Sequence, residues 1–287
     1  MAASAASGQQ SAGAVPWAAV TQAIGRTGTP LPGGVMKYGF PRSDLHVTVG
    51  DVPVKPALAL GGWVAFRMTG PDRAMAMGDL VLTPEEVAPV MQALQSGGVE
   101  QAALHNHLLG ETPRLMYMHV MGTGDPVKIA TAIRRALELT GTPAPDAAPP
   151  GAAAAAIDLD TAAIARALGR SGAVIGGVYQ VGVPRVERIT DAGQEIPPTM
   201  GVATGINFQP TGGGKAAITG DFVLLPSEVN PVIRALLSHG IRVTAIHSHM
   251  LDERPRIFFM HFWANDNAVA LARGVRAALN LMHVKQP

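Results

Sequence analysis

The chain has 287 residues, 47% of them hydrophobic and 15% charged, with a formal net charge of +1. That balance, with no basic stripe, gives no electrostatic case for nucleic acid or an anionic membrane surface. Cysteine is absent, which excludes disulfides, zinc–thiolate sites, iron–sulfur clusters and thiol catalysis, and no apolar run reaches the roughly 20 residues that span a bilayer.

In chain order, MAASAASGQQSAGAVP lacks the basic and apolar regions of an intact signal peptide, and residues 1–14 are expected to be a flexible lead-in. A first unit occupies 15–140. It opens with a predicted helix from Pro16 to Ile24, stopped by Gly25, followed by the short strands MKYGFPR, LHVTV and WVAFRM. GDLVL is a further strand. Pro84 suits the first turn of a helix running to about Gln95, which Gly97 and Gly98 end. VEQAALHNH and RLMYMHV read as strands joined by a tight connection, LLGETP, and DPVKIATAIRRALEL as an amphipathic helix. Residues 141–156, GTPAPDAAPPGAAAAA, form a Pro/Ala-rich linker. A second unit, 157–287, starts with a predicted helix from Asp158 to Leu168 and repeats the scheme. Its PTGGGK segment is only weakly like a phosphate loop and reads better as a hairpin turn.

The two units are copies. At a constant offset of 142, Phe66–Leu137 and Phe208–Leu279 share 31 identities in 72 positions without a gap. The expected fold is α+β, with two tandem homologous repeats related by a pseudo-twofold. Each is a mostly antiparallel sheet with helices on one face.

Six of the nine histidines sit at matched places, His105, His107 and His119 against His247, His249 and His261. Residues two apart on a strand share a face, so His105 and His107 point together. With a turn centred on Thr112, His105 would face His119 and His107 would face Tyr117, putting three imidazoles on one patch of each hairpin. The opposite face carries Leu104, Met116, Met118 and Val120, matched by Ile246, Phe258, Met260 and Phe262, and should lie under the helices. Imidazole binds zinc and other late transition metals, and three such ligands leave a position open for water. Zinc is the first expectation and copper the second. Glu111 and Glu253 are candidates for a fourth ligand or a general base. Asp79 and Asp221 head strands and would either bond backbone near the following helix or orient a histidine. The Met116, Met118 and Met121 run reads as core packing rather than copper ligation.

The strings ALHNHLLGETPRLMYMH, GDLVLTPEEVAPVM, TAIHSHMLDERPRIFFMHFWAND and PRSDLHVTVGDVPVKPALALG resemble the bacterial LppY/LpqO family, named for predicted lipoproteins. The resemblance implies an exported protein, periplasmic, envelope-associated or secreted, whose signal segment is absent from this chain. It supplies no catalytic residues, and no lipobox cysteine is present. The function expected from these readings is an exported metal-binding protein with a site in each His-x-His…His hairpin. One alternative is a metal-dependent hydrolase using Glu111 or Glu253 as base. Another is a non-metal ligand-binding or envelope-interaction module. The expected partners are a metal ion and a small molecule, without nucleic acid or a transmembrane segment. The sequence leaves the oligomeric state open.

Overall fold

A computed structural model of the chain describes residues 17–144 and 157–286, so the expected lead-in and residues 145–156 of the linker lie outside the described residues. Repeat one runs α1 (Trp17–Ile24), β1 (Thr29–Leu31), β2 (Val35–Pro41), β3 (Val47–Val49), β4 (Val52–Val54), α2 (Pro56–Ala59), β5 (Gly61–Gly70), β6 (Arg73–Leu82), α3 (Pro84–Ser96), β7 (Glu100–His105), β8 (Glu111–Thr112), β9 (Met116–Gly124) and α4 (Pro126–Leu137). Repeat two runs α5 (Thr161–Leu168), β10 (Ala173–Ile175), β11 (Val178–Pro184), β12 (Ile189–Asp191), β13 (Gln194–Ile196), a short 3₁₀ turn (Pro198–Met200), β14 (Ala203–Gly212), β15 (Lys215–Leu224), α6 (Pro226–Ser238), β16 (Arg242–His247), β17 (Phe258–Asn267) and α7 (Ala268–Leu279).

Each repeat builds a six-stranded antiparallel sheet, ordered β1-β2-β5-β6-β9-β7 in the first and β10-β11-β14-β15-β17-β16 in the second. The α+β duplication read from the sequence is thus the fold. Alternation along β6 sorts the two faces. Ala74, Ala76, Leu80 and Leu82 enter the core under the helices with Met118 and Val120, while Met75, Met77, Asp79 and Val81 point the other way. Leu104 and Ile246, expected under the helices, are instead 40% and 46% exposed, because they lie on the edge strands β7 and β16.

Local chemistry sets the helix starts. Asp125 caps α4, accepting from the Val127 and Lys128 amides with Pro126 at the first position. Asp160 caps α5, so that helix starts three residues later than the expected Asp158. Glu86 accepts from the Thr83 amide at the start of α3, and Glu228 from the Leu225 amide at the start of α6. Both glutamates have a second task. Arg42 is fully buried and reaches Glu86, Asp44 and the Val81 carbonyl, and Arg185 repeats this with Glu228, Glu187 and the Val223 carbonyl. The PTGGGK segment turns the β14–β15 hairpin, with Gly212, Gly213 and Gly214 all at positive φ.

The helix-free faces meet, and each repeat lends an arm to the other. The segment β3–β4–α2 of repeat one lies against the second sheet. There Gln209 donates to the Pro53 carbonyl, Asn207 to the Leu58 carbonyl and Gln180 to the Ala57 carbonyl. Val47, Val54, Leu58 and Tyr117 share a core there with Val178, Ala217 and Trp263. The segment β12–β13 and its 3₁₀ turn returns the arrangement, packing Ile189, Ile196 and Met200 on Val35, Ala65, Met75 and Met77. Apolar burial on both sides of the interface makes the two repeats one folding unit.

Candidate functional site

Strand register decides which residues gather between the sheets. Gly39, Trp63, Asp79, His119 and Ala103 form one cross-strand row over β2, β5, β6, β9 and β7. Gly182, Gly205, Asp221, His261 and Ala245 form its counterpart. The rows place Asp79 beside His119 and Asp221 beside His261 on the helix-free faces.

The hairpin register differs from the expectation. His105 pairs with Tyr117 rather than His119, and a bulge between Gln101 and Ala103 shifts the strand. His107 lies past the end of β7. The supposed tight connection is a longer excursion in which Glu111 and Thr112 pair with β3. His107 nevertheless reaches the site, because its ring stacks on Tyr117 at a centroid distance of 3.4 Å, as His249 stacks on Phe259 at 3.3 Å.

All six paired histidines meet across the repeat boundary. Ring centroids lie 3.6 Å apart for His105 and His247, 3.8 Å for His107 and His261, and 3.6 Å for His119 and His249. Ligand atoms within 4.8 Å of one another fall into the groups His105–His119–His247–His249 and His105–His107–His261, both mixing the repeats. Two further groups, Asp79–His107–His119 and Asp221–His247–His261, add a carboxylate. The expected trio of one hairpin, His105 with His107 and His119, does not form a single group; two sets mix the repeats, and two, each with an aspartate, stay within one repeat. Asp79 approaches His107 Nε2 at 3.3 Å and Asp221 approaches His249 Nε2 at 3.1 Å. The aspartates thus belong to the site.

The backbone fixes tautomers. With Nδ1–H of His261 donating to the Gly220 carbonyl at 2.8 Å, and that of His105 to the Tyr117 carbonyl at 3.3 Å, the lone pair stays on Nε2. Buried Nε2 atoms of His105, His107, His119, His247, His249 and His261 have no hydrogen-bond partner among the described residues. Neither do His247 Nδ1, Asp79 Oδ1 and Asp221 Oδ1. Leaving such atoms unpaired costs on the order of 1–3 kcal/mol each. Burial drives all six imidazoles towards the neutral form, His261 down to about 3 and His107, His119, His247 and His249 well below the usual value. Burial also raises Asp79, against the pull of the histidines, and pushes Asp221 up to about 6. Neutral imidazoles with free lone pairs beside carboxylates form a donor set for a late transition metal.

Glu111 and Glu253 are not brought into these groups. Each accepts from a backbone amide four residues on, Leu115 and Ile257, and Glu253 also pairs with Arg256. They brace their loops and enter none of the four ligand groups among the described residues. Met118 is core, as read.

A cleft of about 710 Å³ opens beside the imidazoles and is lined from both repeats. Two of its residues went unnoticed in the sequence, Lys37 and Trp63, with the ammonium 4.2 Å from the indole centroid. Burial lowers the Lys37 ammonium, and Asp79 partly restores it. The signal for Trp63 was its mismatch with Gly205 across the cross-strand rows.

Comparison with known proteins gives a family model for a domain of unknown function, DUF1259, matching residues 18–139 and again 162–281. The match is to that family and not to LppY/LpqO, so the earlier resemblance is corrected. No curated protein matches the chain. Two solved structures are similar to it. The trimeric bacterial microcompartment shell protein PduB is 14% identical, covering 92% of this chain and 93% of that one, with a TM-score of 0.21. EtuB from Clostridium kluyveri is 12% identical, covering 89% and 91%, also with a TM-score of 0.21. None of these matches supports an exported metal-binding protein, a hydrolase or an envelope module. The exported protein with a metal site in each hairpin is withdrawn with both alternatives. Independently, no group of ligand atoms among the described residues gathers all three histidines of one hairpin.

Proposed function

The chain belongs to the DUF1259 domain family, and from its geometry we propose that the two repeats act as a fused pseudo-dimer holding one shared transition-metal centre, which faces a small-molecule cleft. The metal is a cofactor of the interface rather than of either hairpin, so neither repeat alone completes it. Zinc suits the neutral imidazole set best and copper next.

One observation carries this reading. Nine of the eleven buried side-chain polar atoms that lack a partner among the described residues belong to these six histidines and two aspartates. A cation held by the His105–His119–His247–His249 group would take up four lone pairs, the number a tetrahedral zinc accepts, converting that part of the desolvation cost into coordination. The two arms and the stacked rings of Tyr117 and Phe259 hold the ligands in place before the ion arrives.

The test is equilibrium dialysis of metal-free full chain against zinc, then copper, with metal content read by elemental analysis. Stoichiometric retention is expected, lost in a His105→Ala/His247→Ala double variant that still folds. Equal, weak uptake by native and double variant would defeat the proposal.

A further inference from the structure

The cleft is lopsided in charge. Lys37 is the single lysine or arginine among the residues lining it. Its Nζ makes no hydrogen bond or ion pair with any side chain among the described residues, its one strong contact being the face of Trp63. Trp63 stands one strand from Asp79 and two from His119 in the same row, so the indole separates the ammonium from the imidazoles by roughly two strand spacings of about 4.8 Å. Repeat two carries neither group. Gly205 occupies the Trp63 place, and Gln180, two residues before Gly182, occupies that of Lys37. Gln180 is committed to the Ala57 carbonyl. The pseudo-twofold is thus broken at one end of the cleft only.

Much of the remaining wall carries no charge. It includes Gly39, Gly62, Gly201 and Gly220. Gly201 permits the indole's approach, since a Cβ there would lie 2.6 Å from the Trp63 ring. The two carboxylates of the cleft, Asp79 and Asp221, are turned to histidines.

We infer that Lys37 and Trp63 form a recognition end that admits a small organic carboxylate, its charge beside Lys37 and its apolar body along the indole and the glycine wall. The inference rests on the shared metal centre proposed above. A one-ended positive charge orients such a molecule, so that its other end meets the imidazole groups in one sense only. An amide or alcohol of the same shape gains nothing from the ammonium and is discriminated against.

Cobalt-loaded protein supplies the readout, because ligands entering the centre perturb the visible spectrum of the bound ion. Acetate, acetamide and inorganic phosphate are titrated against native protein, Lys37→Met, Lys37→Arg and Lys37→Gln. The methionine variant keeps the apolar stem on Trp63, and the glutamine variant carries the side chain that repeat two tolerates. Expected are acetate affinity at least tenfold above acetamide in the native protein, a loss of at least tenfold in Lys37→Met and Lys37→Gln, and recovery in Lys37→Arg. Unchanged acetate affinity in whichever of the two neutral variants folds overturns the inference, as does preference for phosphate. If native protein takes up no cobalt, the metal centre falls and this inference with it. Cobalt uptake with acetate binding indifferent to residue 37 defeats this inference alone.

Discussion

His105 and His247 stand at equivalent places in the two repeats, and their ring centroids lie 3.6 Å apart across the repeat boundary. His105 enters two of the possible ligand groups and His247 two, one of them in common. A single imidazole therefore serves ligands drawn from both repeats. Replacing His105 alone should lower metal retention by about 100-fold or more, since losing a residue that only orients a ligand already costs up to about 100-fold. His46→Ala, outside every group, should leave retention unchanged. Elemental analysis after dialysis checks both.

Asp79 and Asp221 each sit within 3.3 Å of a histidine nitrogen of their own repeat. Asp79→Asn keeps the shape and removes the charge that orients His107 and His119. Metal affinity should fall about 10- to 100-fold with the fold intact, read by competition with a chromophoric chelator. Unchanged affinity would show that the carboxylate acts only in packing.

Stability of the metal-free protein should fall on acidification. The imidazoles are held neutral when folded, His261 down to about 3, whereas an unfolded histidine titrates near 6.5. Their contribution is therefore complete above about 6.5 and is lost as pH falls from there towards the folded value. Each resisting group removes about 1.4 kcal/mol per pH unit. Asp221, raised to about 6, works in the opposite sense, favouring the fold below about 4 and losing that contribution as pH rises through about 6. Six histidines outweigh two aspartates. Melting temperature should drop between pH 7 and 5, and less so in His247→Ala/His261→Ala. A flat profile would contradict the burial argument.

Arg42 and Glu86 form a 2.7 Å pair with side chains 2% and 13% exposed. Arg42→Met leaves Glu86 without its partner and should cost about 3–5 kcal/mol in urea unfolding, while Arg42→Met/Glu86→Leu should cost markedly less. Equal costs would mean that the pair matters through packing alone.

The expectation that the histidines face away from the helices followed from period-two alternation, and it holds because alternation is a property of a single strand. Met118 and Val120 go under the helices and His119 does not. Register was less legible. The bulge before Ala103 and the pairing of Glu111 and Thr112 with β3 depend on a distant strand, so counting from a supposed turn centre misplaced His105 by two residues. Glu111 looked available as a ligand for the same reason, and the Leu115 amide claims it. Arg42 and Arg185 left a usable trace, a Pro-Arg pair followed two residues later by an acid in both repeats.

Sequence alone determined the duplication, the α+β alternation and the identity of the six imidazoles, because identity at a fixed offset and strand periodicity are one-dimensional. Only the tertiary structure decided that His105 meets its counterpart 142 positions away while His107 meets His261 and His119 meets His249, and that Lys37 and Trp63 share their cleft. Those contacts arise from packing two sheets face to face and from the strand order within each. The apolar faces and exchanged arms drive that packing, and no local pattern encodes which polar groups it will trap.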